Sequence, residues 1–198
     1  MQTKEMISTY STQHQSLSNE TFVKVIDYIP DIIVDLKYAT TDNFTGQKLY
    51  HFTDAWLRYG TTRKLLKAQE ILRQQGYFLK IWDAFRPVAA QFVMWEIYPD
   101  DTYIANPIKG YSWHSRGNTV DVTIVDEKGA ELLMPTPFDS FFYQEERVYS
   151  QEEQQEISHN FHLLRDTMVA AGFRPYEDEW WHFYDLDVYD VEKNFIPD

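Results

Sequence analysis

Six histidines are spread through the 198 residues: His14, His51, His114, His159, His162 and His182. A single histidine is most often structural or solvated, so its neighbours decide whether it does chemistry. His159 and His162 stand three apart in a charged stretch, where a surface or partly buried placement suits them. They could share a metal, but no acidic residue is placed to complete a site. His114 has better company. It sits in Ser112-Trp113-His114-Ser115-Arg116-Gly117, a loop entering the alternating segment Thr119-Val-Asp-Val-Thr-Ile-Val-Asp126. In that segment Val120, Val122 and Ile124 share one face, while Thr119, Asp121 and Thr123 share the other. Asp121 therefore points away from the main apolar face, toward solvent or toward a site. Gly117 lets the chain bend so that His114 can fold back beside Asp121.

His182 closes the segment Glu179-Trp180-Trp181-His182. A catalytic zinc takes about three protein ligands plus a water, with a carboxylate nearby to accept that water's proton. His114, Asp121 and His182 can be such ligands, and Glu179 such a base. In an extended strand residues 179 and 182 point to opposite faces. This chemistry thus demands a twist, a bulge or a strand end between them. Arg86, in Trp82-Asp83-Ala84-Phe85-Arg86-Pro87, offers a cation between a strand and a helix. On local grounds it forms a surface salt bridge. Its functional alternative is a fixed charge aimed at a developing oxyanion.

These groups need elements to hold them. Residues 22–38 carry β-branched residues around Pro30 and suggest two short strands, and the Asn, Asp and Gly content of 39–50 suggests a loop. A helix is expected over about 61–75, with Leu65, Leu66, Ala68, Ile71 and Leu72 as its apolar stripe and Gly76 as its C-cap. A strand follows over 77–82, and Pro87 opens a second helix that buries Ala90, Phe92, Val93 and Trp95 to varying degrees. Strand 119–126 turns through Gly129 into a hairpin at 131–133. Ser150 and Glu153 form a capping box for a long helix over about 151–171, closed by Gly172. A last strand runs through Glu179–Tyr184. Irregular alternation of helices with hairpin-linked strands favours an α+β domain with a mainly antiparallel central sheet and flanking helices.

Composition narrows the function classes. A hydrophobic share of 43% and a charged share of 25% describe a globular chain of one domain, and the formal net charge is −13. Phosphate backbones and anionic membranes recruit Lys and Arg, so neither nucleic acid nor a membrane surface is an expected partner. The absence of cysteine excludes disulfides, thiolate zinc sites and a thiol nucleophile. No run approaches the length of a membrane span, and the polar start lacks the apolar stretch of a secretory leader, so the expected location is cytoplasmic. Residues 1–20 read as a polar arm and 21–198 as one domain.

Each motif alone is weak, but together they resemble a family. Ser-x-His-x-x-Gly-x-x-x-Asp at 112–121 and Glu-x-Trp-His at 179–182 are similar to the paired signatures of the zinc D,D-peptidases. Within that group, Tyr38-Ala39-Thr40-Thr41-Asp42-Asn43-Phe44-Thr45-Gly46, the Trp82-Asp83 to Arg86-Pro87 stretch and His114-Ser115-Arg116-Gly117 resemble the VanX-type D-alanyl-D-alanine dipeptidases most. The resemblance runs in order from about residue 25 to residue 185. It implies a hedgehog/D,D-peptidase-like fold, with one zinc held by His114, Asp121 and His182. It further implies Glu179 as general base and Arg86 as stabiliser of the tetrahedral intermediate. Tyr38, Ser112 and Asp139 become substrate-positioning residues, with Asp139 at the ammonium group of a free dipeptide. Thr119 departs from the small residue the family places there, and the N-terminal arm has no counterpart. The rival expectations are a D,D-carboxypeptidase acting on peptidoglycan stems and a non-catalytic module that keeps the zinc fold for binding.

Overall fold

A computed structural model describes residues 17–140 and 148–197. Most of the expected arm at 1–20, and His14 with it, lies outside the described residues. The elements in chain order are β1 (Phe22–Lys24), β2 (Ile33–Val34), β3 (Trp56–Arg58), α1 (Tyr59–Arg73) and β4 (Phe78–Asp83). They continue with α2 (Val88–Ile97), β5 (Thr119–Val125), α3 (Gln151–Ala171), β6 (Phe173–Tyr176) and β7 (Glu179–Asp185). The main sheet has the order β2-β4-β5-β7-β6. Among the described strands only the β2–β4 pair is parallel, and β1 and β3 form a separate two-stranded antiparallel sheet. The domain is thus α+β and mainly antiparallel.

The apolar stripe of α1 is what fixes it to this sheet. Leu65, Ala68 and Leu72 are fully buried at helical spacing and join Val120, Val122, Ile124, Leu164 and Met168 in one core. Gln69 is buried on the same helix, and its Oε1 accepts from the Leu79 N–H of β4. The helix starts two residues before Thr61 and its C-cap is Gln74; Gly76 takes a left-handed conformation just beyond. Helix α3 begins with the expected capping box, in which Ser150 and Glu153 bond reciprocally, and ends at left-handed Gly172. It packs beside α1 over the sheet.

Some expectations need correction. The hairpin at 131–133 reduces to one bridge between Val125 and Glu131, because the chain leaves the sheet after a tight turn. Strands β3 and β6 lacked an alternating pattern long enough to read. Phe92 is 40% exposed, while Gln91 and Met94 join the expected Ala90 as the buried residues of α2. Strand β5 is buried along its whole length on both faces, so the solvent reading of Asp121 is excluded. Among the described residues no helix is long and apolar enough to cross a membrane.

Candidate metal centre and cleft

The polar face of β5 and the facing residues of β7 build the site. Asp121 pairs directly with His182 across the β5–β7 ladder. His114 arrives from a short 3-10 helix, Trp113–Arg116, which Ser112 caps by accepting from the His114 N–H. Gly117 then reverses the chain with φ of +75°, and a Cβ there would run into the Phe22 ring. Glycine is therefore required at the bend that returns His114 to Asp121. The result brings His114 Nε2 within 3.4 Å of Asp121 Oδ2 and 3.3 Å of His182 Nδ1.

Glu179 joins them through an irregularity in β7. Pro175 stands opposite Phe183, whereas the next residue, Tyr176, stands opposite Glu179. Trp180, Trp181 and His182 are thus extra residues on β7, and the strict alternation of side chains is broken. Glu179 Oε2 comes to 3.3 Å from His182 Nδ1. This is the bulge that the chemistry demanded. A second bulge, at Trp82 in β4, lets Asp83 stand opposite Asp121.

The histidine and aspartate atoms are arranged as metal ligands are. His114 Nδ1 lies 2.8 Å from the Ala84 carbonyl, which can only accept, so Nδ1 carries the proton and Nε2 presents a lone pair. Asp121 Oδ1 is buried without a hydrogen-bond partner, although His182 Nδ1 is 3.0 Å away, because the alignment is not that of a hydrogen bond. An orphaned buried carboxylate oxygen facing two ring nitrogens is costly unless a cation completes it. One ligand atom from each of His114, Asp121 and His182 can be chosen so that all lie within 4.8 Å of one another. Two imidazole nitrogens and one carboxylate oxygen are a donor set that suits a divalent metal.

The electrostatics separate the carboxylates. Burial opposes charge on Asp121, yet the combined pull of His114 and His182 outweighs it and holds this carboxyl well below the usual range. Burial pushes Glu179 up to about 7; His182 opposes the shift, and the charges of Asp121 and Asp139 add to it. Burial likewise pushes Asp139 up to about 7, against the hydrogen bond it accepts from Tyr38 Oη at 2.8 Å. Asp139 is the one non-glycine residue with positive φ among the described residues, at +55°. Its neighbour Phe138 is wedged among Tyr38, Trp82 and Trp181.

Arg86 is not the surface salt bridge that its local sequence favours. It is buried, and Nε and Nη2 donate to Asp83 Oδ2 at 3.0 and 2.7 Å. Burial works against its charge, but Asp83 outweighs this and raises its pKa well above the ordinary value. Asp83 Oδ1 accepts from Tyr50 Oη and from the Ala84 N–H. Sequence reading gave Asp83 and Tyr50 no role; the one available signal was an acid three residues before Arg86. Loop 39–50 leaves the short 3-10 turn that holds Tyr38 and returns to it at Tyr50, whose N–H donates to the Tyr38 carbonyl at 2.9 Å. Asn43 organises it by donating to three carbonyls, those of Lys37, Thr40 and Gln47.

All eight sequence-predicted residues line one cleft of about 350 Å³: Tyr38, Arg86, Ser112, His114, Asp121, Asp139, Glu179 and His182. That volume suits a small molecule. His159 and His162 are exposed on α3, and His51 is exposed as well. A larger, shallower cavity of about 640 Å³ adjoins it and shares Asp139.

A metal-ready triad with a raised carboxylate beside it defines the class: a metal-dependent hydrolase site. The chain matches the family model of peptidase M15, D-Ala-D-Ala dipeptidase, over residues 18–196. It is 36% identical to the D-alanyl-D-alanine dipeptidase of Escherichia coli (strain K12), covering 78% of this chain and 79% of that one. It is also 36% identical to the D-alanyl-D-alanine dipeptidase of Enterococcus faecium, over 75% and 83% of the two chains. The corresponding Streptomyces coelicolor protein is 31% identical, over 82% and 90%. The chain belongs to the M15 D-Ala-D-Ala dipeptidase family, and it is a hydrolase of the metallopeptidase kind.

Proposed function

We propose that the chain hydrolyses the free dipeptide D-Ala-D-Ala to two D-alanines, with one zinc held by His114, Asp121 and His182. The observation that carries this reading is the convergence of the three ligand atoms beside Glu179, in a cleft that also holds Arg86 and Asp139. A bound zinc would supply Lewis acidity to the peptide carbonyl and acidify water beside it.

The protein groups divide the remaining work. Glu179 Oε2 takes the proton from the attacking water and returns it to the leaving amine. Its raised pKa, about 7, suits both halves of that exchange. The Arg86 guanidinium, fixed by Asp83, faces the oxygen on which negative charge develops. Asp139 pairs with the substrate ammonium, with Tyr38 holding its carboxylate from behind. The Ser112 hydroxyl, at the cap of the His114 turn, keeps its proton free to donate to the substrate.

The same layout selects a free dipeptide. A carboxylate pushed up to about 7 by burial lacks a cation, and an ammonium supplies one. An acylated or lengthened amino end would leave Asp139 buried and unpaired. The proposal includes a cytoplasmic location and a small-molecule partner rather than nucleic acid or membrane; cell fractionation checks the first.

The test compares free D-Ala-D-Ala, N-acetyl-D-Ala-D-Ala and a muramyl pentapeptide. The free dipeptide is expected to turn over, and the other two to be poor substrates. Release of D-Ala from the pentapeptide as fast as from the dipeptide would replace this reading with a D,D-carboxypeptidase. No turnover of any of the three by zinc-loaded protein would leave a binding module.

A further inference from the structure

Arg86 carries five N–H donors in a planar fork. Three of them are spent inside the protein. Nε and Nη2 donate to Asp83 Oδ2, and Nη1 donates to Gln91 Oε1 at 2.9 Å. The two remaining donors, one on Nη1 and one on Nη2, are aimed by those three bonds. Asp83 grips one edge of the fork through a single oxygen, and its other oxygen is taken by Tyr50 and the Ala84 N–H. A grip at one oxygen places the guanidinium but does not by itself set the tilt of its plane. Gln91 holds the far nitrogen.

Gln91 is fully buried on α2, and both ends of its amide are committed. Its Nε2 donates to the Ala105 carbonyl at 2.7 Å, in the segment 101–105 that walls the cleft. A flipped amide would set its NH2 against the guanidinium and its oxygen against a carbonyl, so the partners fix its orientation. One side chain thus joins the guanidinium to the cleft wall.

We propose that Gln91 is a positioning residue for the reaction: it sets the plane of the Arg86 guanidinium and ties that plane to the wall at Ala105. This rests on the reading that Arg86 faces the developing oxyanion. Displacement of such a group by about 1 Å can cost on the order of 10²-fold in rate.

The test is steady-state kinetics of the zinc-loaded protein on D-Ala-D-Ala, for Arg86→Ala, Gln91→Met and the double variant. Arg86→Ala should lower kcat by on the order of 10²-fold or more. Gln91→Met should lower kcat roughly tenfold, the scale of one hydrogen bond to a charged group, with KM within about threefold. The double variant should be no slower than Arg86→Ala alone, because Gln91 then has nothing to position. If Gln91→Met costs the same factor with and without Arg86, Gln91 acts elsewhere and this inference falls while the role of Arg86 stands. An undiminished kcat in Arg86→Ala removes both. Gln91→Glu keeps an acceptor of the same reach for Arg86 and guards against a Gln91→Met protein that does not fold. Its carboxylate cannot donate to the Ala105 carbonyl, so the tie to the wall is lost while the bond to Arg86 stays, and kcat should fall by less than in Gln91→Met; a fall as deep as that expected for Gln91→Met overturns the proposal.

Discussion

His159 and His162 lie three residues apart on α3, both exposed, and His162 Nδ1 reaches only the Ser158 carbonyl one turn back. His114 and His182 are separated by 68 residues, yet their ring nitrogens stand 3.3 Å apart beside a buried carboxylate. The two pairs share residue types and differ in everything that makes a ligand. On α3 both rings are exposed, and among the described residues no acid closes a metal-holding group around them. In the cleft, a backbone carbonyl fixes the tautomer of His114, and Asp121 Oδ1 is left buried without a hydrogen bond. Spacing along the chain therefore says little about metal binding; convergence of lone pairs out of water says much.

Substitutions at the four histidines break this comparison most sharply. His114→Ala and His182→Ala should each lose the metal and with it essentially all turnover. His159→Ala and His162→Ala should keep full metal content and parental rates. Elemental analysis after gel filtration reads the result, and full zinc occupancy in His114→Ala or His182→Ala would sink the ligand assignment.

Glu179→Gln sharpens the comparison from the acid's side. It should keep the metal and lose on the order of 10²- to 10⁴-fold in kcat, the range of a general base. Metal loss in this variant would make Glu179 a ligand instead. The acid limb of kcat/KM follows from the same group. Burial raises Glu179 to about 7, so the fraction able to accept a proton falls as pH drops through that value. A bound cation pulls the limb lower, never higher. A limb centred well above 7, measured in the metal-loaded parent, contradicts the assignment.

Asp139→Asn should show the smallest of these effects. KM for free D-Ala-D-Ala should rise roughly tenfold or more, as expected for one lost charge-assisted pair. N-acetyl-D-Ala-D-Ala should change little, because it has no ammonium to lose. Equal rises for both substrates would place the ammonium elsewhere.

Much of this site was legible in the sequence because its motifs are local. Ser112 to Asp121 needs only one turn and one strand, and the glycine at 117 announces the turn. Glu179 and His182 were readable as a pair, but their common direction depends on a three-residue bulge against β6, and β6 was too short to recognise. The solvated reading of Asp121 failed for a related reason. Alternation within β5 reports two chemically different faces, and it cannot tell that cleft walls cover the polar one. Arg86 looked like a surface cation because its counter-charge, Asp83, lies in the same short stretch. Only the packing of Tyr50, brought by a loop from elsewhere, shows that the pair is buried. Gln91 carried no signal at all, since a glutamine on a helix is ordinary until its two partners are known.

The most direct measurement is the release of D-alanine from free D-Ala-D-Ala by chelator-treated protein, before and after zinc is restored at one equivalent per chain. The expected result is no release without metal and full turnover with it. Release that persists through chelation, or none after zinc is restored to a folded protein, would contradict a zinc dipeptidase built on His114, Asp121 and His182.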